Sequence, residues 1–95
     1  MGQTEQFWQS FEVVDELDDD DGDYNWHIVG VFRRNADGKL FWSSDSGCSC
    51  YGPWECITEE EIEPLTPSTW MRFRDDAVQT SKRGHEWAIE MGRLT

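Results

Sequence analysis

YNWHIVGVFRRNADGKLFW, residues 24–42, is the stretch on which the fold of this chain turns. In residues 24–34, the longest strand-like run, Tyr24, Trp26, Ile28 and Phe32 fall on one face, and His27, Val29, Val31 and Arg33 on the other. One face is apolar and one mixed, as expected of a central strand. Asn35-Ala36-Asp37-Gly38 is a hairpin signal, with Gly38 suited to the left-handed conformation that closes a three-residue loop with a bulge. Pairing Asn35 with Lys39 puts Phe32 opposite Trp42 and gathers Trp26, Ile28, Phe32, Leu40 and Trp42 on one side. A slip of one residue would move Trp42 to the mixed face, so this register is the expected one, with a third strand over residues 39–45.

Before the hairpin, residues 7–14 (FWQSFEVV) alternate well enough, Phe11 and Val13 against Glu12 and Val14, to predict a first strand with Phe7 and Trp8 packing ahead of it. Residues 15–23 (DELDDDDGD) hold seven acids in nine positions. Like charges so spaced repel one another and bury almost nothing, which predicts an exposed acidic loop. Asp19, Asp21 and Asp23 alternate as calcium ligands can, but no Glu stands at the twelfth position of such a loop.

After the hairpin comes DSGCSCYGPWE, residues 45–55, inside a cysteine loop spanning 45–56. Asp45 and Ser46 can bond the backbone of a tight turn at Gly47, and Gly52-Pro53 turns the chain again. Asp45, Gly47, Cys48, Cys50, Pro53 and Glu55 are the expected structural residues of an ordered loop. The run EEEIEPLT, residues 59–66, with Pro64, predicts an exposed connection.

Thr66-Pro67 is a helix start, threonine as N-cap and proline at the first helical position. Trp70, Phe73 and Ala77 then share one face, with Met71 and Val78 beside it and Arg72 and Arg74 outward. Lys82 and Arg83 suit the negative end of the helix, and Gly84 its C-terminal cap. This helix should cover the apolar sheet face. In residues 85–91 the alternation of Trp87, Ile89 and Met91 favours a strand, although Glu86 and Glu90 stand at helical spacing. The expected architecture is α+β: a single domain over residues 1–95, with a three- or four-stranded antiparallel sheet and one main helix on one face.

Charge restricts function. The chain carries −12, and the sign is segmental: residues 1–32 hold nine acids and residues 40–71 six, with no Lys or Arg in either. Such a surface repels nucleic acid and anionic lipid and attracts proteins with a basic face at rates that fall with salt. The candidate partner-binding residues are Asp18, Asp19, Asp20, Asp21 and Asp23, with Glu59, Glu60, Glu61 and Glu63. Carboxylates displayed in this way can imitate a phosphate backbone and occupy the groove of a nucleic-acid-binding protein. The bland alternative is a solvated face. The start MGQTEQFWQS has no basic, apolar signal pattern, Gln6 stands where a myristoylation signal needs a hydroxyl, and no stretch approaches the roughly 20 apolar residues of a membrane span. A cytosolic protein is expected, in which three cysteines are thiols or metal ligands rather than a disulfide framework.

No catalytic constellation is expected. The thiols of Cys48 and Cys50 have acids nearby and no base to lower their pKa, and C-x-x-C is absent. His27 and His85 are more simply structural. Zinc held by Cys48, Cys50 and Cys56 with His27, or His85 in its place, is the alternative. Its difficulty is that extended C-x-C sets the two thiols about 7 Å apart, which a turn must correct. The otherwise expected role of these cysteines is packing as small buried thiols.

Residues 11–65 have a strand before an acidic loop, an aromatic hairpin, DGKLFWSSDSGCSC, and then Pro53-x-Glu55. In this the chain resembles a family of small uncharacterised proteins encoded by actinobacteriophages. Tyr51 and Gly52 depart from that family's pattern, where a proline and a small polar residue are expected. The resemblance implies a phage product made in the cytoplasm of an infected bacterium. It brings no catalytic residues, and favours an inhibitor that occludes a host or defence protein.

Overall fold

The computed structural model describes residues 9–19, 26–47, 54 and 61–94. Four strands, β1 (Phe11–Asp18), β2 (Trp26–Arg34), β3 (Leu40–Gly47) and β4 (Glu63–Pro64), form one antiparallel sheet in the order β1-β2-β3-β4. Two helices follow, α1 (Trp70–Thr80) and α2 (Gly84–Gly92). The α+β architecture with a main helix on one sheet face is the one the sequence predicts.

The hairpin register is not. Arg34 N–H donates to Lys39 O at 2.9 Å and Gly38 N–H to Arg34 O at 2.7 Å, so the loop holds four residues, 35–38, rather than three. Gly38 takes the left-handed conformation at φ 72°. The extra loop residue moves the pairing by one: Phe32 faces Phe41 and Val31 faces Trp42. Because side chains alternate along a strand, one residue exchanges the faces. The expected grouping of Ile28 and Phe32 with Leu40 and Trp42 is therefore split across the sheet.

On one side Val29 and Val31, from the face that looked mixed, join Leu17, Leu40, Trp42 and the helices. On the other, Ile28 and Phe32 pack with Phe11, Phe41 and Trp54. Both faces of β2 are buried, which explains its nearly unbroken apolar run, Ile28 to Phe32. The helix side holds an aromatic file: Trp42 meets Phe73 at 5.5 Å between ring centroids, and Phe73 meets Trp87 at 5.3 Å. On the far side Trp54 stands edge-on to Phe32 at 5.1 Å. A Cβ on Gly30 would come within 2.7 Å of the Trp54 ring, so this glycine lets the indole lie against the sheet.

The first strand, predicted from the alternation over Phe11 to Val14, starts at Phe11 and extends four residues further, to Asp18. β1 runs through half of the presumed acidic loop, because Leu17 is fully buried opposite Val29 and ties the acids around it to the sheet. A bulge at Val14 lets Val13 and Asp15 pair with the consecutive residues Phe32 and Val31. Residues 20–23 of that run lie outside the described residues. β3 continues past residue 45, and Gly47 pairs with Trp26 instead of turning. The connection read in residues 59–66 also contributes structure: β4 pairs Pro64 with Phe41 and Glu63 with Trp42 at the sheet edge, where proline's missing N–H is tolerated.

Thr66 and Pro67 form a turn rather than the first turn of α1. Thr69 Oγ1 accepts the Thr66 N–H at 3.1 Å and donates to Pro64 O at 2.6 Å, holding this turn against β4, and the helix begins at Trp70. Phe73, Ala77 and Thr80 form its buried stripe. The chain turns extended at Ser81, and Gly84 opens α2 instead of capping α1. Its role is close approach, for a Cβ there would lie 1.9 Å from the Ala77 carbonyl oxygen. Residues 85–91, favoured as a strand, are helical. Trp87, Ala88 and Met91 are buried at helical spacing, and the small Gly84 and Ala88 let α2 seat against its neighbours.

Candidate functional site

The acids of β1 divide into two kinds of work. Asp15 and Glu16 are consecutive, so their side chains leave opposite faces of the sheet. Asp15 Oδ2 accepts the Trp87 indole N–H at 3.0 Å on the helix side, and Glu16 Oε2 accepts that of Trp54 at 2.5 Å on the other. Each carboxylate thus satisfies a buried indole, as buried tryptophans usually require. Sequence reasoning missed both, having placed them in a loop. The signal was Leu17, an apolar residue spaced for a strand within the acidic run.

The remaining β1 acids, Glu12 and Asp18, are exposed on the edge strand. Of the predicted partner-binding residues, Asp18 ends β1 opposite Ile28, and the Asp19 N–H donates to His27 O at 3.0 Å. Asp20, Asp21, Asp23, Glu59 and Glu60 lie outside the described residues. Glu61 is exposed, and its carbonyl accepts the Ser43 hydroxyl at 2.9 Å. Glu63, on β4, is paired with Arg72 at 3.0 Å. Asp18 and Glu63 therefore stand on opposite edge strands of the sheet, three strand spacings apart across it.

Four ion pairs form among the described residues, Arg33–Glu12, Arg34–Asp37, Arg72–Glu63 and Arg74–Asp75. All four are at least partly solvent-accessible, so each adds little stability. Their effect is on charge display: half of the chain's eight cations are neutralised locally. At the hairpin tip the Arg34 guanidinium grips Asp37 through two nitrogens, at 3.1 and 2.6 Å. That contact first, and the Lys39 N–H second, hold the Asp37 carboxyl down to about 2.

At the entrance to the cysteine loop, Asp45 accepts the Ser46 N–H through Oδ1 and the Trp54 N–H through Oδ2, both at 2.9 Å. One carboxylate holds the two ends of the loop together. Trp54 has φ 67°, a left-handed conformation unusual for a side chain of its size. Gly47 belongs to β3, while Cys48, Cys50, Pro53, Glu55 and Cys56 lie outside the described residues. His27 is half-buried across from Ser46, and His85 is exposed on α2. Among the described residues no group of three His, Cys, Asp or Glu side chains could hold a metal ion, and no helix is long and apolar enough to cross a membrane.

These elements define a small α+β domain, an antiparallel four-stranded sheet with a helix pair on one face and an acidic edge strand. Residues 2–90 match the family model described as a domain of unknown function, DUF7574, and the chain belongs to that family. No curated protein and no solved structure matches it.

Proposed function

We propose that this domain is a non-catalytic binding protein that engages a basic protein surface through its acidic edge and modulates or inhibits that partner. The observation that carries this reading is the edge strand β1, which ends on the exposed Asp18 and also carries Glu12, exposed beside Arg33. A strand fixes carboxylate spacing before binding, which a loop does not, and the sequence continues from it into Asp19, Asp20, Asp21 and Asp23. Such an array suits a groove built for phosphates, so the partner class includes nucleic-acid-binding proteins, with the domain standing in for the nucleic acid. The resemblance to actinobacteriophage proteins extends the proposal to a host or defence protein met in the cytoplasm of an infected bacterium. Affinity capture from lysate of such a host tests it. A partner retained at low salt, released at high salt, and lost when residues 18–21 and 23 are changed to asparagine supports the reading; retention by that variant ends it.

A second reading, a zinc-stabilised module, is favoured by the clamp at Asp45, which draws together the ends of the loop carrying Cys48 and Cys50, with His27 across from Ser46. Cys56 would supply the remaining thiolate. One zinc per purified chain and a large loss of stability with chelator would support this reading. Metal-free protein with an unchanged melting curve would exclude it.

A further inference from the structure

A cleft of about 290 Å³ opens between the start of α1 and the end of α2. Leu65, buried and tied by its N–H to Leu40 O at 2.9 Å, is one of its lining residues; Pro67 and Trp70 line it from the α1 side, Ile89 and Gly92 from α2. The lining is mainly apolar, and Arg93 completes it. A second hollow shares Leu65 and Thr66 with the first and extends past Leu40 and Leu94 to Lys39 at the hairpin.

Two features characterise this place. The first is charge. Neither hollow has an acidic lining residue, whereas an even spread of the chain's twenty acids would put about two among them, and the charged groups there are the cations Arg93 and Lys39. Neither cation forms an ion pair among the described residues. The second is preorganisation. The Trp70 indole N–H donates to Ala88 O at 3.2 Å, joining the two walls, and the Arg74 guanidinium lies 5.6 Å from the Trp70 ring. The Thr66 turn is braced by Thr69 against Pro64. The walls are fixed relative to each other by bonds of their own and need no ligand to form.

We infer that this cleft binds a small amphipathic carboxylate, its apolar body against Trp70 and Ile89 and its carboxylate at Arg93. An apolar enclosure with few polar groups is the usual form of a small-molecule site, and a guanidinium at its edge selects a carboxylate. The volume matches a ligand of one ring or a short chain. This is independent of the acidic edge, since β1 contributes no residue to the cleft.

Amide NMR of the full chain tests the inference with 3-phenylpropionate and its neutral counterpart, 3-phenylpropionamide. The acid should shift the Trp70 indole, Ile89 and Gly92 signals saturably with a Kd of about 1 mM, as befits so small a ligand. The amide should bind about tenfold more weakly, the share carried by a charge-assisted contact. Arg93→Gln, an exposed change, should lower the acid to the amide's affinity and leave the amide unaffected. Equal affinity for acid and amide in the native chain would overturn the inference, as would the absence of saturable shifts. Shifts at the same signals that depend on protein concentration alone would assign the cleft to a second copy. A capped Glu-Phe-Glu peptide that displaces the phenylpropionate at equal concentration would assign it to a protein partner; either result would overturn the inference.

Discussion

Trp54 offers a perturbation whose outcome separates side-chain packing from backbone conformation. Its indole is buried against Phe32 and Gly30 and bonded to Glu16, while its backbone sits at φ 67° with its N–H on Asp45. Trp54→Ala removes the indole and should cost about 3–5 kcal/mol, the usual loss for a buried tryptophan. Alanine keeps the left-handed conformation and its steric cost, but glycine does not, so Trp54→Gly should be the more stable of the two by about 1 kcal/mol. That ordering inverts the common one, in which glycine is the worse replacement because of its freedom in the unfolded chain. Urea unfolding followed by circular dichroism gives both values from the midpoints, provided the slopes agree. A further check uses Gly30→Ala, whose methyl would meet the Trp54 ring at 2.7 Å. It should be strongly destabilising in the native background and markedly less so with Trp54→Gly, where only the Phe32 ring at 2.9 Å must shift, a coupling that a double-mutant cycle isolates. A loss below about 1 kcal/mol for Trp54→Ala would refute the second buried face. An alanine variant at least as stable as the glycine one would refute the left-handed backbone.

Three further outcomes follow from the same packing. Leu17→Ala should cost about 2–5 kcal/mol in denaturant unfolding, because the side chain is fully buried in β1; a residue in a solvated acidic loop would cost almost nothing. Gly84→Ala should lose upward of about 2 kcal/mol or fail to fold, since its methyl must displace the Ala77 carbonyl; a neutral result would mean that the helices do not approach there. Asp37, with its folded pKa lowered from 3.8 to about 2, contributes stability that is present above 3.8 and lost as pH falls towards 2. Carboxyl NMR should show the low midpoint, and Asp37→Asn should remove this group's share of the acid dependence; an Asp37 midpoint near 4 would contradict the Arg34 contact.

How far the fold was legible depended on which feature set each element. The hairpin, the central strand and α1 each carry a local pattern strong enough to stand alone. Register does not, since it depended on whether the loop before Lys39 held three residues or four. A single residue there exchanged the face of Trp42 and made the apparently mixed side of β2, with Val29 and Val31, the main core. The sequence did hold a clue in the run from Ile28 to Phe32, apolar but for Gly30, which fits burial on both faces better than on one. The acidic run misled because its charge outweighed the single Leu17, and the roles of Asp15 and Glu16 emerge only when two tryptophans distant in sequence arrive at them. Residues 85–91 satisfy two periodicities at once, and Gly84, with room for no side chain against Ala77, decided for the helix. As for the candidate site, its acids were legible as composition, whereas the placement of Asp18 at the end of β1 and of Glu63 on β4 required the fold. The cleft beside Trp70 had no signature, for its walls come from segments some twenty residues apart.

The most direct test of an electrostatic binding function is the salt dependence of affinity for the captured partner, measured for the native chain and for a variant with residues 18–21 and 23 changed to asparagine. Circular dichroism first establishes that the variant keeps its fold. Binding by the native chain should weaken steeply as salt rises, and the variant should bind at least about tenfold more weakly with a flatter dependence. Equal affinities with equal salt slopes would contradict the account, and would move the binding surface away from the acidic edge.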